Sequence, residues 1–205
     1  MTQLRTYVLI DRMQPQYAAF TGKRSEGMVP VEGMAQIYVE LAPASDIYHV
    51  MDVALKTTDV RPGYLTVERE YGTMEIHSLH QEAVRVAGAN ALRDLELTEE
   101  DRLKPQVTSA KLITSIDPYE AQLINYRSYG GLLLARQTLC VIEVRPAAYI
   151  VLAANEAEKA ANITLVNYSR SGVFGRLYIS GTESDVRQAR DHAVQMIESL
   201  SGRVG

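Results

Sequence analysis

A chain of 205 residues, 46% hydrophobic and 22% charged, has a globular composition and room for one large domain or two of about 100 residues. A net charge of −4 with no basic stripe argues against a nucleic-acid binder, and no apolar run approaches the roughly 20 residues of a membrane span. The single cysteine, Cys140, excludes a disulfide within the chain and fits a reducing compartment.

The opening segment MTQLRTYVLIDR lacks the apolar core and small-residue cleavage site of a signal peptide, so an intracellular protein is expected. LRTYVLID, residues 4–11, reads as a strand, and QPQYAAF as a short helical turn opened by Pro15. IYVEL reads as a second strand. Ile47, Val50, Met51, Ala54 and Leu55 then make one face of a helix. GYLTVERE and TMEIHS read as a hairpin turning at Tyr71-Gly72, and a helix with the stripe Val84, Ala87, Ala91 and Leu95 follows. TEEDRLKPQ, residues 98–106, reads as a polar linker ended by proline. The same order then returns: AKLITSI (110–116) as strand, DPYEAQL as helical turn, CVIEV as strand. A helix with Ile150, Ala153, Ala154, Ala157 and Ala161 follows, then the hairpin TLVNYSR and GRLYIS. The last helix has the stripe Val186, Ala189, Ala193, Ile197 and Leu200.

The recurrence extends to identities. Shifting the chain by 103 positions sets Pro15 on Pro118, Arg24-Ser25 on Arg127-Ser128, Gly27 on Gly130, Lys56 on Lys159 and Gly72 on Gly175. Over residues 9–83 this gives 15 identities in 75 pairs, where ordinary composition yields about four or five. The halves are two copies of one domain, residues 1–103 and 104–205. Each is expected to be an α+β layer, with helices packed on a largely antiparallel sheet.

No catalytic constellation stands out. His77 and His80 straddle a strand end and a helix start without a third ligand, and are expected at the surface or as helix caps. Cys140 lies in the apolar run TLCVIEV and is expected to be buried and inert. Tyr129-Gly130-Gly131 and the segment from Gly172 to Gly175 are glycine turns, not phosphate loops, and Glu99-Glu100-Asp101 reads as a solvated linker. No enzyme, cofactor or metal site is expected. What remains is the charged hairpin tip, Glu68-Arg69-Glu70, which the repeat sets against Ser171-Gly172-Val173.

DVALKTTDV (52–60) and NEAEKAANI (155–163) are similar to the helix-end signature of bacterial microcompartment shell proteins. With RTYVLIDRMQPQ, VEREYGTMEI and FGRLYISG in the same order, essentially the whole chain resembles the circularly permuted tandem-domain members, close to those of carboxysomes. In the unpermuted relatives, the strands represented here by residues 4–11 and 110–116 come last in the domain.

The resemblance implies a homotrimer shaped as a pseudohexagonal disc, tiling with other shell proteins into a sheet around enzymes in the cytoplasm. Two similar domains per chain give six similar edges from three subunits. The family's edge lysines map onto Lys56 and Lys159, each followed by small residues. Its pore-gating Glu-Arg pair maps onto Glu68 and Arg69, with Arg170, Ser171 and Gly172 contributed by the second copy. Small metabolites would pass through that pore. Some members stack two discs face to face, and the sequence leaves open whether this chain does. The alternative reading is a trimeric regulatory protein whose hairpin charges bind a small metabolite.

Overall fold

The computed structural model describes residues 2–204. The chain divides into two compact units, Met1–Lys104 together with Ser201–Gly205, and Pro105–Leu200.

In the first unit the elements run β1 (Gln3–Ile10), α1 (Pro15–Lys23), β2 (Ala35–Ala42), α2 (Asp46–Thr57), β3 (Arg61–Glu68), β4 (Tyr71–Ser78) and α3 (Gln81–Asp94). The strands form one antiparallel sheet in the order β1-β2-β4-β3. Alternation along β2 and β4 sends Ile37, Val39, Leu41, Met74 and Ile76 to one face, where they pack with Ile47, Val50 and Ala54 of α2 and Val84, Ala87 and Ala91 of α3. Each buried Val, Leu, Ile or Met among them contributes about 1.5–3 kcal/mol, which makes this layer the unit's main core. The opposite face is polar yet also buried: Gln36, Glu40, Thr73, Glu75 and His77 are all at most 5% exposed. There Tyr17 of α1 donates to Gln36 Oε1 at 2.6 Å.

The second unit repeats the plan with β5 (Gln106–Ile113), α4 (Pro118–Asn125), β6 (Thr138–Arg145), α5 (Ile150–Ala160), β7 (Thr164–Ser169), β8 (Gly175–Gly181) and α6 (Glu183–Glu198). Its sheet has the matching order β5-β6-β8-β7. Each half is therefore a four-stranded antiparallel sheet with helices, the expected α+β class. α4 starts at a proline, and the Asp117 side chain accepts from the Tyr119 N–H at 2.8 Å.

Identities across the repeat mark places where backbones nearly touch. A Cβ on Gly72 would lie 2.1 Å from the Ala44 carbonyl oxygen, and one on Gly175 would lie 2.1 Å from that of Ala147. No side chain fits there, so both copies keep glycine where β4 or β8 meets the entry to the following layer. Ser25 and Ser128 do related work: their hydroxyls donate to the carbonyls of Gly63 and Val166, tying each loop to its sheet.

Both copies also carry the same irregularities. A β-bulge sits at Arg5 in β1 and at Thr108 in β5, and another at Gly63 in β3 and Val166 in β7.

Three expectations are corrected. β5 starts at Gln106 and ends at Ile113, four residues earlier at its start than the apolar run suggested; none of its residues is fully buried, so its pattern is weak. Leu55 is 38% exposed, lying off the buried stripe of α2. The segment from Thr98 is solvated at Glu99 and Glu100, as expected, but it is ordered and ends in a buried residue. Thr98 and Asp101 close a capping box over a single 3-10 turn, and Arg102, 6% exposed, donates to the carbonyls of Tyr7 and Ser201 at 3.2 and 2.9 Å.

Candidate functional site

The β3–β4 hairpin closes through Arg69 and Glu70 alone, with Glu68 facing Tyr71 as the last paired residues. Val67, Glu68, Arg69 and Glu70 are consecutively exposed, the reverse of the buried pattern along β4 that follows. A two-residue loop needs a positive φ, and here Arg69 supplies it at 55°. For a residue with a Cβ the left-handed region costs roughly 1–2 kcal/mol, so the tip holds local strain at a charged residue.

Beneath the tip lies a buried charge pair. Arg5 Nε donates to Glu40 Oε1 at 2.6 Å, with Arg5 8% and Glu40 1% exposed. The same guanidinium sits 3.7 Å from the centroid of the Tyr71 ring. A pair so thoroughly removed from water is held in one geometry, because neither charge can afford to lose the other.

The equivalent hairpin of the second unit is built differently. β7 ends at Ser169 and β8 begins at Gly175, leaving residues 170–174 as a longer loop. Gly172 has φ 95° with open space around its Cα, and Ser171 is half-buried. Arg170 is only 4% exposed, so its side chain is not displayed at the tip. Val173, 57% exposed, is displayed, and the sequence offered only its alignment with Glu70 as a signal. Glu143, the counterpart of Glu40, pairs with Arg176 Nε at 2.5 Å across the β6–β8 rung, and this hydrogen bond raises the Arg176 pKa.

Lys56 and Lys159 lie in the last turns of α2 and α5, where a cation opposes the helix dipole favourably. Lys56 Nζ reaches Asp52 Oδ2 at 2.6 Å and Lys159 Nζ reaches Glu156 Oε2 at 3.5 Å, with the lysine side chains 74% and 60% exposed. The Lys56–Asp52 pair is exposed and contributes about 0–1 kcal/mol, so that ammonium can exchange partners at little cost, whereas the Glu156 carboxylate that Lys159 meets is buried and also contacts His192.

The remaining candidates resolve as structural. His77 is not at the surface: it is 1% exposed in β4, with Nδ1 2.9 Å from Glu75 Oε1, because residues two apart on a strand share a face. His80 precedes α3 and makes no side-chain cap hydrogen bond. Among the described residues no group of three or more His, Cys, Asp or Glu could hold a metal ion. Cys140 is buried, and desolvation pushes its thiol up to about 12, far from a nucleophile's range. Gly130 and Gly131 donate to the Val166 and Leu165 carbonyls, which makes their turn a packing device. No helix among the described residues is long and apolar enough to cross a membrane.

Comparison with known proteins extends these observations. Residues 4–101 match the family described as the CsoS1D N-terminal domain, and residues 138–204 match the BMC domain. The chain is 47% identical over 201 residues to the carboxysome shell protein CcmP of Synechococcus elongatus, covering 98% of this chain and 94% of that protein. It is 39% identical to the carboxysome shell protein CsoS1D of Hydrogenovibrio crunogenus, covering 99% and 100%. Among solved structures it is similar to the fused permuted hexameric shell protein MSM0275 from the RMM microcompartment, with TM-score 0.93, 40% identity, and coverage of 97% of this chain and 100% of that one. The double ringed trimeric shell protein MSM0271 from the same microcompartment gives TM-score 0.96 at 38% identity, with both chains covered completely.

Proposed function

The chain belongs to the family of fused, circularly permuted microcompartment shell proteins, and from that premise we propose that three copies form a pseudohexagonal tile with a gated axial pore. It is a structural shell protein of the carboxysome type and not an enzyme.

Two domains of one plan in each chain suit this role, since three chains then offer six similar edges while keeping two chemically distinct kinds of hairpin. In this reading the β3–β4 hairpins meet at the axis. Three Glu68 or three Arg69 side chains alone would repel one another in a poorly hydrated ring, whereas alternating them across subunits makes charge-assisted hydrogen bonds that close the opening. Swinging outward returns each group to water at small net cost, so closed and open states lie close in free energy. Ser171 and Gly172, with the buried Arg170 before them, belong to the longer, less charged hairpin loop of the second unit. Lys56 and Lys159 reach across tile edges to carbonyls of the neighbouring tile.

The observation that carries the gate is the exposed, strained tip itself: a charged residue in left-handed backbone, followed at once by the buried strand β4. It favours a gate over the regulatory-trimer alternative, because the charges stand exposed on a two-residue turn.

We further infer that two trimers stack. Support comes from the double-ringed relative and from Tyr119, Leu123, Tyr126 and Leu132 of the second unit, which are 66–88% exposed and apolar. Tyr119, Leu123 and Tyr126 recur at helical spacing along α4 and its C-cap, so they share one face that a second copy of the same surface would cover. Light scattering should give the mass of three or six chains, and concentrated protein should form flat sheets under the electron microscope. A monomer would overturn the reading.

A further inference from the structure

The buried pair beneath the hairpin tip has a geometry that only one unit possesses. Arg5 is the extra residue of the β1 bulge, and a bulge re-aims its side chain. From the edge strand its guanidinium crosses β2, where it meets Glu40, and ends on the ring of Tyr71 in β4. Tyr71 is the first residue after the loop and faces Glu68 directly. A single cation thus links the sheet's edge to the base of the charged tip.

The second unit keeps the bulge and loses the link. Thr108 stands at the bulge, its hydroxyl donating to the Glu143 carbonyl at 3.2 Å. The Glu143 carboxylate takes Arg176 instead. Phe174 occupies the place of Tyr71 but lies outside the strand. There the ladder stops at Ser169 and Arg176, whereas in the first unit it continues for two more rungs, Val67 with Gly72 and Glu68 with Tyr71.

We propose that Arg5 is a latch for the gate hairpin: clamped by Glu40, it holds the Tyr71 ring and so keeps the last two rungs of β3–β4 zipped. When the ring leaves the guanidinium, those rungs open, the loop lengthens toward the form seen in residues 170–174, and Glu68 and Arg69 withdraw. Arg5 and Tyr71 are positioning residues, acting on the tip without touching what passes it. The proposal rests on the gate reading but concerns the hairpin itself, so the two can fail separately.

The test uses Tyr71→Leu, which leaves the Arg5–Glu40 pair intact and removes only the ring, beside Tyr71→Phe, which keeps the ring face. In the assembled protein, amide hydrogen exchange of residues 66–73 should quicken by about tenfold in Tyr71→Leu and stay at the wild-type rate in Tyr71→Phe. Arg5→Lys, which keeps the charge but not the flat stack, should loosen the same amides and decides the matter if Tyr71→Leu fails to assemble. Unchanged exchange in both Tyr71→Leu and Arg5→Lys overturns the latch, as does equal loosening by Tyr71→Phe. Electron microscopy of the same variants beside a Glu68→Ala/Arg69→Ala protein separates the two ideas: a pore that stays closed in the latter sinks the gate while the exchange result still judges the latch.

Discussion

Arg69 and Gly172 stand at equivalent positions of the two repeats and both hold positive φ, 55° and 95°. The turn demands that backbone in each copy; glycine adopts it without strain, and arginine does so at a cost. Arg69→Gly should therefore raise the melting temperature or leave it unchanged, whereas Gly172→Ala should destabilise the protein by about 1 kcal/mol. Thermal unfolding of the two variants checks this, and a clear fall for Arg69→Gly would show that the arginine serves stability.

Lys56 makes only an exposed pair within the chain, and the buried Glu156 that Lys159 meets keeps His192 as a second partner, so removing both lysines should spare the fold. Lys56→Ala with Lys159→Ala should unfold within about 1 kcal/mol of the wild type and retain its oligomeric mass. Sheets seen by electron microscopy should be lost. Sheets that persist at wild-type abundance would remove these lysines from the tile edge.

Gly72 and Gly175 leave no room for a methyl group, since each would drive a Cβ to 2.1 Å from a carbonyl oxygen. Backbone on both sides cannot yield as a flexible side chain does. Gly72→Ala and Gly175→Ala should each cost about 2 kcal/mol or more, read by chemical denaturation, while Gly33→Ala meets open space and loses only what its φ of 83° imposes.

These glycines show what the sequence makes legible. Backbone contacts admit one residue type, so they survive as identities at a fixed shift, and Gly72 with Gly175 could be read before any coordinates. Strand and helix stripes such as Ile47, Val50 and Ala54 were equally plain, because burial on one face imposes a period. The polar face was not legible. His77 read as a surface or capping residue, and nothing local announces that the side of the sheet it shares with the buried Glu75 and Glu40 is covered as well. Arg5 was hidden for a different reason: a bulge shifts the alternation by one residue, and its partners lie 35 and 66 positions away. Arg170 illustrates the converse, a residue picked by repeat alignment whose side chain the fold buries.

Cys140 supplies a pH-dependent check. Desolvation raises its thiol to about 12 in the folded protein, above the range near 8.5 of an exposed thiol. Between those values the unfolded chain releases a proton that the folded one retains, so this group's contribution to stability is full below about pH 8.5 and falls as pH rises toward 12. Native protein should resist alkylation at pH 8 and react only after unfolding. Rapid labelling of the native form would contradict the buried environment.

The central claim is that the β3–β4 hairpins meet at an axis and close it with Glu68 and Arg69. Cryo-electron microscopy of the assembled wild type beside Glu68→Ala/Arg69→Ala measures this directly. The account predicts intact trimers in both, with side chains of Glu68 and Arg69 across the wild-type axis and a permanently open hole in the variant. Hairpins far from the axis, or a variant whose hole stays shut through other groups, would contradict it.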